Sequence, residues 1–199
     1  MAGEVQNAFC AVRPPGHHAE RATAMGFCFF NNIAVAAAHA LEAHKLSRVA
    51  VVDFDVHHGN GTEDCFKGNE HVLMVSTFQH PFYPYSGTEH PAANMLNVPL
   101  GRGTDGEEFR RVVSDLWMPR LREFQPEMIF ISAGFDAHYE DEMGGLSLLE
   151  KDYAWVTEQV KQIADESAQG RIVSMLEGGY SLSALARSVV CHLRVLADF

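Results

Sequence analysis

Four stretches of the chain are rich in apolar residues and too short to be helices: RVAVVDFD (48–55), HVLMVST (71–77), EMIFISA (127–133) and RIVSML (171–176). Three of them are nearly continuous rather than alternating, and HVLMVST fits the pattern least well. Runs of this kind predict strands covered on both faces, as in a parallel sheet. Between them the spacing turns helical. NNIAVAAAHALEAHKL (31–46) is alanine-rich and opens on asparagine. TDGEEFRRVVSDLWMPRLREF (104–124) opens on Asp105 with Glu108 three residues on, a capping box, and Pro119 should bend or break it. SLLEKDYAWVTEQVKQIADESAQ (147–169) opens on Ser147 and Glu150 in the same way, with Gly170 to end it. SALARSVVCHLRVLADF (183–199) closes the chain as an amphipathic helix.

Helices alternating with buried strands predict a three-layer α/β/α domain with a mostly parallel sheet. Residues 78–103 form the longest irregular stretch, too long for a mere connection and therefore expected to be a functional loop. No repeat, low-complexity tract or linker divides the 199 residues, which suit one domain.

Composition narrows the class. With 47% hydrophobic residues the chain can build a sizeable core, and no apolar run is long enough to span a bilayer. MAGEVQNAFC lacks the features of a signal peptide. The four cysteines (Cys10, Cys28, Cys65, Cys191) form no CxxC pair and sit among apolar neighbours, so they are expected to be buried, reduced thiols of a cytoplasmic protein. A net charge of −11 argues against direct nucleic-acid binding and weakly favours a cationic substrate or product.

The chemistry lies at the strand ends. Residues 48–55 run into Asp53, Asp55, His57 and His58; 127–133 run into Gly134, Phe135, Asp136, Ala137 and His138; 171–176 run into Glu177, Gly178, Gly179 and Tyr180. In open parallel sheets ligands sit beyond the carboxyl ends of the strands, so three strands deliver acids, histidines and a tyrosine to one edge. Residues two apart in an extended chain share a face. Asp55 and His57 can therefore reach one cation together, and Asp136 can approach it from the next strand. Two carboxylates and one imidazole leave a coordination position open for water, the pattern of a catalytic zinc. A single aspartate at such a place more often caps a loop; D-x-D-x-H-H-G-N-G with a second acid elsewhere is far more specific. His17 and His18 follow Pro14-Pro15-Gly16, a rigid turn, and suit acid–base work near neutral pH, although an isolated His-His is often just a solvated loop.

RPPGHHA, GFCFFNN, VDFDVHHGNGTED, SAGFDAH and LEGGY, in this order, resemble the zinc-dependent histone deacetylase family, which includes bacterial deacetylase-like amidohydrolases and acetylpolyamine amidohydrolases. The resemblance implies the arginase/deacetylase fold, one Zn²⁺ on Asp55, His57 and Asp136, and catalytic roles for His17, His18, Asp53 and Tyr180. It implies an acyl-lysine channel lined by Gly26, Phe27, Phe82 or Tyr83, and Met143, with Asn60, Gly178 and Gly179 behind the reacting groups. It also implies K⁺ positions, one on Asp53, Asp55, His57 and Ser76 and another on the backbone carbonyls of Phe66, Asn69 and Val72. The implied activity is removal of acetyl or other acyl groups from lysine side chains or related acylated amines, with His18 as base and His17, paired to Asp53, as its electrostatic partner.

Asn60 stands where some members of that family carry aspartate, which should make His18 less basic. Met143 falls in EDEMGG, where relatives often show Asp-Pro-Leu. Family members usually carry a substantial segment before RPPGHH, so residues 1–199 are expected to be a single catalytic domain shortened at its N-terminus and slightly at its C-terminus. The alternatives are an acetylpolyamine or other small-amide hydrolase, a two-manganese ureohydrolase, which would need more carboxylates, and an inactive fragment that only binds acyl-lysine. The oligomeric state is open.

Overall fold

Every residue of β2 (Val49–Asp53) is buried because its two faces feed two different cores. The computed structural model describes Met1 and residues 3–199. One core contains Ala50 and Val52 with Leu73, Val75, Ile129 and Ile131. The other contains Val49 and Val51 with Val72, Met74 and Phe130. Apolar side chains on both faces of a strand cannot meet water on either side, so helices must cover both. The result is three layers, as the sequence predicts.

The sheet has six strands, all parallel neighbours, in the order β1-β6-β5-β2-β3-β4. The others are β1 (Asn7–Cys10), β3 (Val72–Gln79), β4 (Met95–Leu100), β5 (Met128–Ala133) and β6 (Ile172–Leu176). The helices α1 (Asn32–His44) and α2 (Asn60–Phe66) pack on one face. The helices α3 (Gly106–Val112), α4 (Met118–Phe124), α5 (Glu150–Ser167) and α6 (Leu182–Leu196) cover the other. No helix among the described residues is long and apolar enough to cross a membrane.

Strand order reverses at β2: β3 and β4 build outward on one side, β5 and β6 on the other. A crevice between the carboxyl ends of β2 and β5 follows from that reversal.

Several expectations change. The sequence pattern does not show β1 or β4. β4 lies inside the stretch read as irregular, and it tolerates Pro99 because it is an edge strand paired only with β3. The segment 104–124 does not break at Pro119. A π-turn over Val113–Trp117 joins α3 to α4, with the Met118 N–H donating to Val113 O, so the missing proline N–H falls at a start of helix. Asp105 caps α3 by accepting from Glu107 and Glu108 N–H, but Glu108 turns to Arg111 instead of closing a capping box. Helix α5 starts at Glu150, later than Ser147; Asp152, not Glu150, reaches back to accept from the Leu149 N–H at 2.9 Å. Of the four free cysteines only Cys28 is buried; Cys10, Cys65 and Cys191 are half-buried.

Candidate metal centre and active site

Asp55 and His57 leave the end of β2, and Asp136 leaves the end of β5, its neighbour across the switch point. One ligand atom from each lies within 4.8 Å of the others, and all three residues are buried. His57 Nδ1 is 3.0 Å from Asp55 Oδ1 and 3.2 Å from Asp136 Oδ2. The outer oxygens are tied back to the chain: Gly178 N–H donates to Asp55 Oδ2 at 2.8 Å, and Val56 N–H to Asp136 Oδ1 at 2.9 Å. Asp136 Oδ2 is buried, and among the described residues only the His57 ring nitrogen, 3.2 Å away, faces it. A buried carboxylate oxygen of this kind is costly unless a positive charge answers it.

The titration of His57 and Asp136 carries the same message. Burial alone would lower His57, yet hydrogen bonds and charge from Asp136 and Asp55 raise it to about 10. Burial and the nearby Asp55 charge push Asp136 up to about 6. Two carboxylates thus compete for one positive charge at this point, and the donor set O, N, O fits a divalent cation with positions left open.

His17 and His18 are adjacent in sequence and opposite in state. His17 Nδ1 lies 2.9 Å from Asp53 Oδ2. Burial opposes its charge, but Asp53, Asp55 and Glu177 together raise its pKa well above the ordinary value. His18 Nδ1 lies 2.8 Å from Asn60 Oδ1. Asn60 Nδ2 points to Glu20 Oε1 at 2.8 Å, which leaves Oδ1 as acceptor and places the His18 proton on Nδ1. Burial and the His17 charge pull the His18 pKa down to about 3. Its Nε2 is therefore a free lone pair.

A cavity of about 430 Å³ lies over the cluster, lined by His18, Gly26, Phe27, His57, Phe82, Tyr83, Glu142, Met143 and Tyr180. Its walls are aromatic. Phe82 stacks on His57 with centroids 5.3 Å apart, Tyr83 meets His18 edge-on at 5.2 Å, and Phe27 faces Tyr180 at 6.3 Å. Gly26 has φ +54°, and a Cβ there would overlap the His18 ring. Gly178 passes so close to Asp136 that a Cβ would collide with its carboxylate. The Tyr180 phenol is held above its ordinary pKa, first by burial and then by the Asp136 and Asp55 charges, so it stays a proton donor. His58 turns away from the cluster, with Nδ1 2.9 Å from Ser86 Oγ and Nε2 2.8 Å from Glu63 Oε2.

The two expected K⁺ positions differ. Ser76 pairs in register with Asp53 and is fully buried, and its Oγ has no hydrogen-bond partner among the described residues, which fits an oxygen ligand of a cation. The carbonyls of Phe66, Asn69 and Val72 do converge, but on a side chain: Asn94 Nδ2 is 2.9, 3.0 and 2.9 Å from them. An amide donor at their focus does not fit a second cation there.

Sequence reasoning left three acids without a role. Glu177, fully buried, accepts from Gly16 N–H at 2.7 Å, His17 N–H at 3.1 Å and Ser132 Oγ at 3.0 Å, and burial pushes it up to about 7. Asp141 receives three backbone N–H groups. Glu142 lines the cavity. Their partners are backbone groups, one distant serine hydroxyl or open space, which no spacing rule marks.

The histone deacetylase domain model matches residues 1–196. The uncharacterized protein slr0245 of Synechocystis sp. is 41% identical over 94% of this chain and 61% of its own length. A probable deacetylase of Archaeoglobus fulgidus is 38% identical over 90% of this chain and 51% of its own. The crystal structure of the HDA15 HD domain superposes with a TM-score of 0.92 at 36% identity, covering 98% of this chain and 57% of that one. The chain therefore spans 51 to 61% of the length of these two curated relatives and the solved domain. The match over nearly every residue, on a six-stranded parallel sheet whose switch point carries the acid–histidine cluster, shows that the chain belongs to the histone deacetylase family and has its α/β fold.

Proposed function

We propose that this chain hydrolyses the amide of acetylated, or otherwise acylated, lysine side chains or related amines. Membership of the family supports a deacetylase function. The observation that carries the reading is the meeting of three groups at the floor of one apolar cavity: the Asp55–His57–Asp136 cluster, the neutral His18 and the protonated Tyr180. Asp55, His57 and Asp136 would hold a Zn²⁺ ion, which when bound supplies Lewis acidity to the amide carbonyl and to water.

The chain's own residues do the rest. The aromatic walls of Phe27, Phe82 and Tyr83 take the alkyl stem and exclude water around the amide. His18 Nε2 removes a proton from the attacking water, because Asn60 keeps the other ring proton on Nδ1. His17, protonated and held by Asp53, supplies fixed positive charge beside the developing oxyanion. Tyr180 donates its phenol hydrogen to the carbonyl oxygen as charge builds there. The proton on His18 then passes to the leaving nitrogen. The C–N bond breaks, and acetate and a free amine depart. A monovalent cation at Ser76 belongs to the same proposal.

A second reading, an acylated polyamine or similar small amide as substrate, rests on Glu142. It is the one carboxylate among the described residues lining the cavity, and it would pair with an ammonium on a short substrate. Zinc per chain, together with acetate release from an acetyl-lysine peptide and from an acetylpolyamine, tests both. About one zinc and turnover that falls roughly a hundredfold or more in Tyr180→Phe is expected, by comparison with other oxyanion donors. Folded protein that binds zinc yet releases no acetate from either compound would leave an acyl-amine binder instead.

A further inference from the structure

Tyr180 follows two glycines, the second at φ +141°, is 38% exposed, and its phenol makes no hydrogen bond among the described residues. Nothing in its sequence neighbourhood fixes where the phenol points. One side chain does so from 39 residues upstream. Asp141 Oδ2 accepts from Tyr180 N–H at 2.7 Å and from Ser181 N–H at 3.0 Å. Ser181 sits at the N-cap of α6 and makes no side-chain cap of its own; the Asp141 carboxylate accepts the N–H of this N-cap residue and of the residue before it. Its other oxygen, Oδ1, accepts from Met143 N–H at 3.0 Å. Asp141 is only 5% exposed.

We infer that Asp141 is a positioning residue for the reaction: it holds the Tyr180 donor in register with the Met143 wall. The inference rests on the hydrolase reading given above. One carboxylate spans two loops, one after β5 and one after β6, and both loops line the cavity. Three N–H donors need acceptors on both oxygens. A carboxylate meets that need, and an amide of the same size does not. Asparagine would present one oxygen and one NH₂, so either the Tyr180–Ser181 pair or Met143 would face a donor instead of an acceptor. Displacements near 1 Å at a reacting group cost up to about a hundredfold in rate. Asp141 touches no reacting atom, so its effect must pass through Tyr180.

A double-mutant cycle on the 199-residue chain tests this, with kcat and KM measured for the parent, Asp141→Asn, Tyr180→Phe and the double variant on an acetyl-lysine peptide. Hydrogen exchange of backbone amides is followed in the same four proteins. Asp141→Asn is expected to lower kcat about tenfold or more with KM little changed, and to add less than about twofold once Tyr180 is Phe. Amide protection should fall at residues 180–181 and 143 and stay unchanged elsewhere. Asp141→Glu, which keeps both acceptor oxygens, should restore part of kcat. Equal losses in both backgrounds, or a general loss of protection, would overturn the inference in favour of a plain structural acid. Should the parent chain prove inactive, the hydrolase reading fails by itself. The exchange pattern still decides the anchor: a selective loss at 180–181 and 143 upholds it, and no change there removes it.

Discussion

Two imidazoles side by side in the chain reach opposite protonation states because carboxylates hold the charge on His17, while burial and that same charge keep His18 neutral. His17 has Asp53 at 2.9 Å, and His18 has Asn60 at 2.8 Å. The spacing of D-x-D-x-H-H-G-N-G made the Asp55–His57 pair legible, because a strand's two-residue period fixes which side chains converge, while the Asn60 contrast was legible only through the family resemblance. It could not show Glu177 or Asp141. These acids act on N–H groups 161, 160, 39 and 40 residues away, where only the folded sheet brings them together. Asn60→Asp is a direct probe of the contrast. A carboxylate beside Nδ1 favours the imidazolium, so it raises the His18 pKa and keeps the base protonated to higher pH. The acid limb of kcat/KM should therefore move up in pH relative to the parent. A profile that stays in place would mean that His18 is not the base.

Elements were legible where burial was double and obscure where it was single. β2 and β5 lie inside the sheet with apolar residues on both faces, and both stood out in the sequence. β1 has four residues and β4 mixes Asn97 and Pro99 with its apolar positions; both are edges, with one neighbour each, and neither stands out. The connection from α2 to β3 has no regular structure of its own and is fastened by Asn94, which lies just before β4. Its Oδ1 accepts from Gly68 N–H at 2.9 Å while Nδ2 reaches the Phe66, Asn69 and Val72 carbonyls. Asn94→Ala removes all of these and leaves partly buried backbone groups short of partners. A loss of about 1–3 kcal/mol in the urea midpoint analysis is expected, with little change in zinc content. If potassium restores the lost stability in the variant alone, then the three carbonyls take a cation once the amide is gone.

One buried histidine in α6 ties helix α5 and strand β6 together through its two ring nitrogens. His192 is fully buried, with Nδ1 2.7 Å from Thr157 Oγ1 of α5 and Nε2 2.9 Å from Ser174 Oγ of β6. Thr157 Oγ1 donates its own hydrogen to Tyr153 O at 2.6 Å, so it accepts from His192 Nδ1–H, and Nε2 is left to accept from Ser174. The neutral ring satisfies every partner, and burial lowers its pKa from 6.5 to about 4. A depressed folded-state pKa means that the unfolded chain takes up the proton first. The contribution of His192 is thus fully present above about pH 6.5 and is lost as pH falls from there towards 4. The shift corresponds to on the order of 3 kcal/mol over that window. His192→Gln cannot titrate. It should be less stable than the parent at pH 7, yet its urea midpoint should fall less steeply between pH 6.5 and pH 4. The carboxylates, together with His17 and His57, add slopes of their own to both proteins, so the difference between the two curves is the quantity to read. Parallel curves would show that His192 keeps an ordinary pKa and that its place between α5, α6 and β6 does not govern the acid limit of the fold.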